Sequence, residues 1–121
     1  MVKDTIKYQA KVWGDTACVM GHPMFSVHHL VVRPGTFCSV HRHRHRVNLF
    51  YVLSGSLVVR RWDTAERTTD VKIERGERFG VPPGTYHQFL SRQGAEVLEI
   101  YFPVLPEDED IERLTEGGVM L

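Results

Sequence analysis

The residues with the most chemical potential in this sequence lie in one stretch where histidine and arginine alternate. His41, His43 and His45 occupy every second position, with Arg42 and Arg44 between them. Successive side chains of a β-strand point to opposite faces, so this spacing predicts the three imidazoles on one face and the arginines on the other. Imidazoles at such positions can reach a common metal ion. The alternative for this run alone is an exposed strand, since a single His-x-His pair is a weak signal.

The residue pattern around these histidines and along the rest of the chain predicts short β-strands. Runs rich in Val, Leu, Ile and aromatic residues stop at turn signals such as Pro34-Gly35, Ser54-Gly55 and Pro82-Pro83-Gly84. About eight such runs are typical of a β-sandwich or barrel. The predicted strands are 25–33, 37–45, 49–53, 57–62, 71–74, 79–81, 86–90 and 97–104.

The acidic segment near the end has a different texture. Ile111 and Leu114 lie three residues apart within the stretch 107–114, and this spacing predicts a short C-terminal helix against the barrel rim. A solvated acidic tail is the alternative interpretation.

Length and composition indicate one globular domain over residues 1–121. Lys plus Arg and Asp plus Glu are both 15, so the formal net charge is zero, and neither nucleic acid nor an acidic membrane is expected as a partner. The first ten residues do not resemble a secretory signal, and no apolar run is long enough to span a membrane. Cys18 and Cys38 are interpreted as reduced thiols of a cytoplasmic protein.

Two spaced motifs then resemble those of the cupin superfamily. The first family motif reads Gly, five residues, His-x-His, three or four residues, Glu, six residues, Gly. The corresponding positions here are Gly35, His41, His43, Asn48 and Gly55. The spacing is kept, and the single departure is Asn48, which stands where the family usually has a metal-ligating Glu.

The second family motif reads Gly, five residues, Pro-x-Gly, two residues, His, three residues, Asn. Here it is carried by Gly76, Pro82, Gly84, His87 and Ser91. Only Ser91 departs from the pattern. The resemblance implies an all-β cupin jelly-roll barrel, also called a double-stranded β-helix, with a histidine-lined pocket between its sheets.

The same resemblance implies a metal site. Its ligands would be His41, His43 and His87, with Asn48 or His45 as the fourth donor. Three histidines leave open positions for water or substrate, as in a catalytic site. The expected cofactor is a divalent transition metal, either Mn, Fe, Ni or Zn. If the metal site has been lost, the histidines would contact a ligand directly.

A narrower resemblance covers most of the chain. It is similar to the C-terminal mannose-6-phosphate isomerase (type II) module of mannose-1-phosphate guanylyltransferases. The matching segments are Val12-Trp13-Gly14 for a Pro-Trp-Gly opening, and 27–35, 38–48 and 108–113 for two strands and an acidic Ile-x-Arg tail. His28 stands where that module has a lysine.

That resemblance implies isomerisation or epimerisation of a sugar or sugar phosphate. His45 is the expected base, and Glu99 takes that role if His45 binds metal, whereas the alternative for Glu99 is an exposed strand residue. Arg46 would clamp a phosphate or carboxylate, or else form a surface salt bridge.

Two other functions stay open, an iron-dependent dioxygenase and a non-catalytic module that binds a small molecule. In each case the partner is a small-molecule ligand or substrate. A homodimer is also expected, with residues 2–12 as a candidate segment for exchange between protomers.

Overall fold

The computed structural model describes residues 3–103 and 110–121, and strands dominate both ranges. The strands lie in chain order as β1 Gln9–Lys11, β2 Gly14–His22, β3 Phe25–Val32, β4 Thr36–Phe37, β5 His41–His43, β6 Val47–Trp62, β7 Thr68–Glu74, β8 Arg78–Val81, β9 His87–Ser91, β10 Ala95–Phe102, β11 Ile111–Arg113 and β12 Gly118–Val119. Within these ranges, no helix has the length and apolar character needed to cross a membrane.

Strand β6 passes through both sheets and joins them. Its first half pairs with β8 and β10, and its second half pairs with β7 and β9. From β10 one sheet continues through β3 and β2 to β1, while β9 leads to β4 and β12 and also to β5 and β11. Every described pair is antiparallel, and the result is the predicted all-β jelly roll.

A glycine allows β6 to turn from one sheet into the other. The sequence predicted two strands at 49–53 and 57–62, whereas the chain forms a single bent strand. Gly55 has a φ of 74°, and a Cβ atom at this position would lie 2.1 Å from the carbonyl oxygen of Gly94. Glycine is therefore required both by the backbone conformation and by the close approach of the next strand.

The core lies between the two sheets and extends to the histidine-bearing region. Alternation along β6 buries Asn48, Phe50 and Val52, while Tyr51 and Leu53 are exposed. The other apolar core residues include Leu30, Val32, Leu57, Val59, Ile73, Val81, Phe89 and Val97. Asn48 thus continues a row of core positions, which fixes its side chain inside the barrel.

The predicted C-terminal helix is wrong where the structure describes this segment. Ile111–Arg113 forms strand β11, which pairs with β5, and residues 107–109 of the predicted helix lie outside the described residues. The pairing supplies backbone partners to an edge of β5 that would otherwise be open. Strands β1, β2 and β12 were also not predicted, because their small and polar residues lack an apolar alternation.

Candidate metal centre

Strands β5 and β9 bring together three of the predicted histidines. His41 and His43 lie two apart on β5 and therefore share a face, while His87 opens β9 directly opposite His41. The preceding turn is held by a hydrogen bond of 2.7 Å, in which the Gly84 backbone N–H donates to the His43 carbonyl. Gly84 has a φ of 84°, which explains the glycine of the second motif.

The three rings form one compact buried cluster. One ligand nitrogen from each of His41, His43 and His87 lies within 4.8 Å of the others. The ring centroids are 4.5 Å apart for His41 and His87, 5.1 Å for His41 and His43, and 5.6 Å for His43 and His87. Nitrogens this close can share one metal ion.

Backbone carbonyls fix the tautomer of two of these rings. His41 Nδ1 lies 2.8 Å from the Ser39 carbonyl oxygen, and His87 Nδ1 lies 2.9 Å from that of Thr85. A carbonyl only accepts, so each Nδ1 carries the proton and each Nε2 keeps its lone pair. This arrangement, in which the second nitrogen is held by a hydrogen bond, is the usual one for metal-ligating histidines.

His43 is held from behind by a buried ion pair. Its Nδ1 lies 3.1 Å from Arg46 Nη2 and 3.6 Å from Asp110 Oδ2, and Arg46 Nε donates to Asp110 Oδ2 at 2.7 Å. His43 Nε2 is buried and has no hydrogen-bond partner among the described residues. A buried nitrogen without a partner is costly, and a metal ion would satisfy it in the tautomer whose proton is on Nδ1, on the side of Asp110 Oδ2.

Asn48 lies beside the cluster in the position of the expected fourth ligand. Its Nδ2 is 3.3 Å from His87 Nε2 and 3.3 Å from Glu99 Oε2. Its Oδ1 is buried and, like His43 Nε2, has no partner within 3–103 or 110–121. The three imidazole nitrogens therefore fit one transition metal, whereas the Asn48 atom that faces His87 Nε2 is the amide nitrogen, so its oxygen would ligate only after the amide group is rotated.

All three rings are neutral at neutral pH. Burial lowers the pKa of His87 to about 4, and burial followed by the nearby His87 lowers the pKa of His41 to about 3. The pKa of His43 falls well below its ordinary value, first through burial and then through His41 and Arg46. Neutral imidazole is the form that binds metal.

A cavity of about 470 Å³ opens beside the cluster. It is lined by His41, by Glu99 and Tyr101 of β10, and by His28 of β3. Glu99 is buried, so the alternative of an exposed strand residue is wrong for it. Glu99 also lies directly opposite His28 in the β3–β10 pair, which places both side chains on the inner face.

Two predicted catalytic residues, His45 and Arg46, do not line the cavity. His45 is exposed, so its predicted place on the face of His41 and His43 is wrong. Strand β5 ends at His43, and the chain bends over the next two residues, which ends the alternation. Arg46 is buried against Asp110 with its guanidinium 4.3 Å from the centre of the Tyr101 ring, and its ion pair is therefore internal rather than on the surface.

Sequence reasoning missed two residues of the site, Asp110 and Arg113. Asp110 is buried behind His43, and Arg113 lies opposite His41 in the β5–β11 pair and lines the cavity. The three residues of β11 carry no strand pattern of their own, and the spacing of Ile111 and Leu114 was interpreted as helical.

The sequence matches a known family over most of the barrel. Residues 28–102 match the family model of the cupin domain. The chain is a cupin. Both motifs lie within the matched span, as do Asn48 and Glu99, whereas Asp110 and Arg113 lie beyond it. No curated protein matches the sequence.

Solved structures similar to this cupin include oxalate decarboxylases. The Bacillus subtilis enzyme at pH 4.6 has a TM-score of 0.78 and 18% identity, covering 90% of this chain and 30% of that one. A second Bacillus subtilis oxalate decarboxylase structure, from a study of its Mn(II) centres, has a TM-score of 0.76 and 19% identity, and the match covers 88% of this chain and 30% of that one. The formate complex of the Lactobacillus farciminis oxalate decarboxylase has a TM-score of 0.73 and 19% identity, and the match covers 87% of this chain and 33% of that one. This chain spans about a third of those chains, and the likeness shows the fold.

Proposed function

We propose that this cupin is a metal-dependent isomerase or epimerase that acts on a small sugar or sugar phosphate. The observation that carries the proposal is a buried carboxylate, Glu99, which lines the same cavity as His41, one member of the cluster of three neutral histidines. Isomerisation between an aldose and a ketose needs one group that removes a proton from carbon and a positive site that stabilises the resulting oxyanion.

The metal would be held by His41, His43 and His87, with the amide oxygen of Asn48 as the fourth donor. A divalent Mn, Fe, Ni or Zn ion bound there supplies Lewis-acid polarisation of the substrate carbonyl. The Bacillus subtilis oxalate decarboxylase has Mn(II) centres on a similar fold. That precedent supports a divalent metal here without deciding its identity.

Glu99 is the base in this proposal. Its carboxylate would take the proton from the carbon beside the carbonyl and return it to the neighbouring carbon. Asn48 Nδ2 lies 3.3 Å from Glu99 Oε2 and orients the carboxylate toward the histidine cluster. His45, which the sequence suggested as the base, is exposed and does not serve in this mechanism.

A non-catalytic binding module is the second candidate, and Asn48 favours it. With an amide in place of the usual Glu, every donor of the cluster is neutral, which weakens the hold on a hard divalent cation. An iron-dependent dioxygenase is the third outcome, because three imidazoles with open positions also suit iron and oxygen.

Metal content and hydrogen exchange together test the proposal. The purified tag-free protein should hold close to one equivalent of a transition metal, His43→Ala should lose it, and the matched control His22→Ala at an exposed histidine should keep it. With mannose 6-phosphate in D₂O, the metal-loaded protein should incorporate deuterium next to the carbonyl. Glu99→Gln should keep the metal and lose this exchange.

Three results would each redirect the assignment. The absence of metal after reconstitution with Mn, Fe, Ni and Zn would exclude the metalloenzyme proposals. Iron with substrate-dependent oxygen consumption would indicate the dioxygenase. A bound ligand without exchange or oxygen consumption would indicate the binding module.

We also propose a homodimer in the cytoplasm. The outer face of the sheet has one apolar register row, with Val27, Ile100 and Leu49, and in the next row Leu98 and Tyr51 lie between His29 and Arg78. A second copy of this face would cover it. Strand β1 pairs with β2 of its own chain, so exchange of residues 2–12 is not needed for the pairing between protomers.

Both cysteines are free thiols, which suits the reducing environment of the cytoplasm.

A further inference from the structure

A positive residue stands at the mouth of the cavity beside the histidine cluster. Arg113 lies directly opposite His41 in the antiparallel β5–β11 pair. Residues opposed in this way point to one face, with Cβ atoms about 4.5–5.5 Å apart. Arg113 accordingly lines the cavity with His41, and it is exposed at the opening.

The field of this arginine reaches the cluster. Arg113 and His41 line the same cavity from adjacent, register-paired positions, so no other residue of β5 or β11 separates them. A cation that acts on the cluster residues from the cavity mouth would also act on a ligand bound between them. Arg46, the arginine expected to clamp an anion, is instead buried against Asp110.

A second cation enters the cavity from the other sheet. Lys11 of β1 lines it, together with Gln9 and Thr16, which face one another across the β1–β2 pair. The carboxylates lining the cavity are Glu99 and Glu116, so the lining charges balance before a metal is added. A divalent ion on neutral donors adds two positive charges, and an anionic ligand would compensate them.

We propose that Arg113 and Lys11 form an oxyanion subsite that holds a carboxylate or phosphate group of the substrate, while the remainder of that molecule reaches the histidine cluster. The inference rests on the proposed function for its metal and adds the substrate class. A guanidinium has five N–H donors in a planar fork, so Arg113 can keep its contacts within the protein and still take an oxyanion.

The test is calorimetric titration of the full chain with inorganic phosphate, succinate and glycerol, with and without Mn²⁺. Phosphate or succinate should bind, and glycerol should not. Arg113→Gln should weaken anion binding by roughly tenfold to a hundredfold, as expected for loss of a charge-assisted hydrogen bond. Lys11→Gln should weaken it less. Arg75→Gln, at an exposed turn arginine outside the cavity lining, is the matched control and should bind as the unaltered protein does.

Metal content is measured in every variant, so a failure of the metalloenzyme proposal can be distinguished from a failure of the oxyanion-subsite proposal. Equal anion affinity in Arg113→Gln and Arg75→Gln would overturn the subsite, whether or not metal is bound. A protein that holds no metal would overturn the metalloenzyme, and the metal-free titration would still decide the role of Arg113. Preference for phosphate or for succinate identifies the source of the oxyanion.

A second variant protects the test against misfolding. If circular dichroism shows that Arg113→Gln is unfolded, Arg113→Lys keeps the charge and removes only the fork. Affinity intermediate between the unaltered protein and Lys11→Gln, or below both, supports the subsite. Anion affinity unchanged in both Arg113→Lys and Lys11→Gln overturns it.

Discussion

One buried carboxylate determines how His43 is presented to a metal. Asp110 accepts from Arg46 Nε at 2.7 Å and from the His45 backbone N–H at 2.8 Å, and its Oδ2 lies 3.6 Å from His43 Nδ1. Groups behind a ligating imidazole set its orientation and basicity, and their loss typically costs about 10–100-fold in metal affinity. We expect Asp110→Asn to weaken metal binding by about this factor, measured by competition with a chelator.

The control for this experiment is Asp70→Asn, which breaks the exposed Arg60–Asp70 ion pair and should leave metal affinity unchanged. Both variants are compared below their unfolding transitions, because removing a buried charge partner also destabilises the fold. Unchanged affinity in Asp110→Asn would mean that Asp110 supports the barrel without positioning His43.

At the scale of residues, the sequence predicted the cluster but not its surroundings. The proximity of His41, His43 and His87 could be predicted because motif spacing defines which strands carry them. His45 was misplaced because alternation holds only inside a strand, and β5 ends at His43. The role of Arg46 was missed because its partner Asp110 is 64 residues away in sequence.

At the scale of elements, the bend of β6 depends on one glycine. Gly55 and Gly76 both have positive φ, but a Cβ at Gly55 would lie 2.1 Å from Gly94 O, whereas nothing lies within 4 Å of one at Gly76. We expect Gly76→Ala to cost about 1–2 kcal/mol, the cost of a left-handed conformation for a residue with a Cβ. Gly55→Ala should cost clearly more, since it adds the clash with backbone.

Denaturant unfolding of the two glycine variants separates conformation from contact. The excess destabilisation of Gly55→Ala over Gly76→Ala measures the close approach of β6 and β10 at the bend. Equal losses in the free energy of unfolding would contradict this explanation and would leave only the backbone conformation as the reason for glycine at both positions.

Strands with a clear pattern of apolar and β-branched residues were predicted well, whereas short strands without such a pattern were not. Strand β3 was predicted within one residue because Val, Leu and β-branched residues end at Pro34-Gly35. Strand β11 was missed because three residues carry little pattern of their own, and Ile111–Arg113 is a strand only through its pairing with β5. Tertiary pairing, rather than local propensity, decides such short segments.

At the scale of the whole molecule, the partly apolar outer face of the sheet supports the proposed self-association. Tyr51 is 36% exposed at the centre of this face, between the register partners Leu98 and Arg78. Tyr51→Glu would bury a charge in the proposed interface, and we expect it to convert the dimer to a monomer in sedimentation velocity. Met24→Glu, at an exposed apolar residue in the β2–β3 turn, should leave the dimer intact. A dimer that persists in Tyr51→Glu would exclude this face.

The three buried histidines also make the stability of the metal-free protein depend on pH. Their ordinary pKa is 6.5, and in the folded protein burial lowers it to about 4 for His87 and about 3 for His41, with His43 lowered as well. Below pH 6.5 these histidines are therefore protonated in the unfolded chain but remain neutral in the folded chain. The free energy of unfolding should fall by roughly 1.4 kcal/mol per pH unit for each histidine down to about pH 4.

Replacing one histidine removes its contribution to the pH dependence of the free energy of unfolding. Denaturant titrations of His41→Gln between pH 7 and pH 4 should therefore show about two thirds of the pH dependence that the three histidines contribute together. A bound metal should raise stability by a similar amount from neutral pH down to about pH 4, because the folded imidazoles stay neutral over that range, and this added stability should be lost below it. Equal slopes in His41→Gln and the unaltered protein would place the acid sensitivity in other groups. A reduced slope would tie the stability of the barrel to the neutral imidazoles that the proposed metal centre requires.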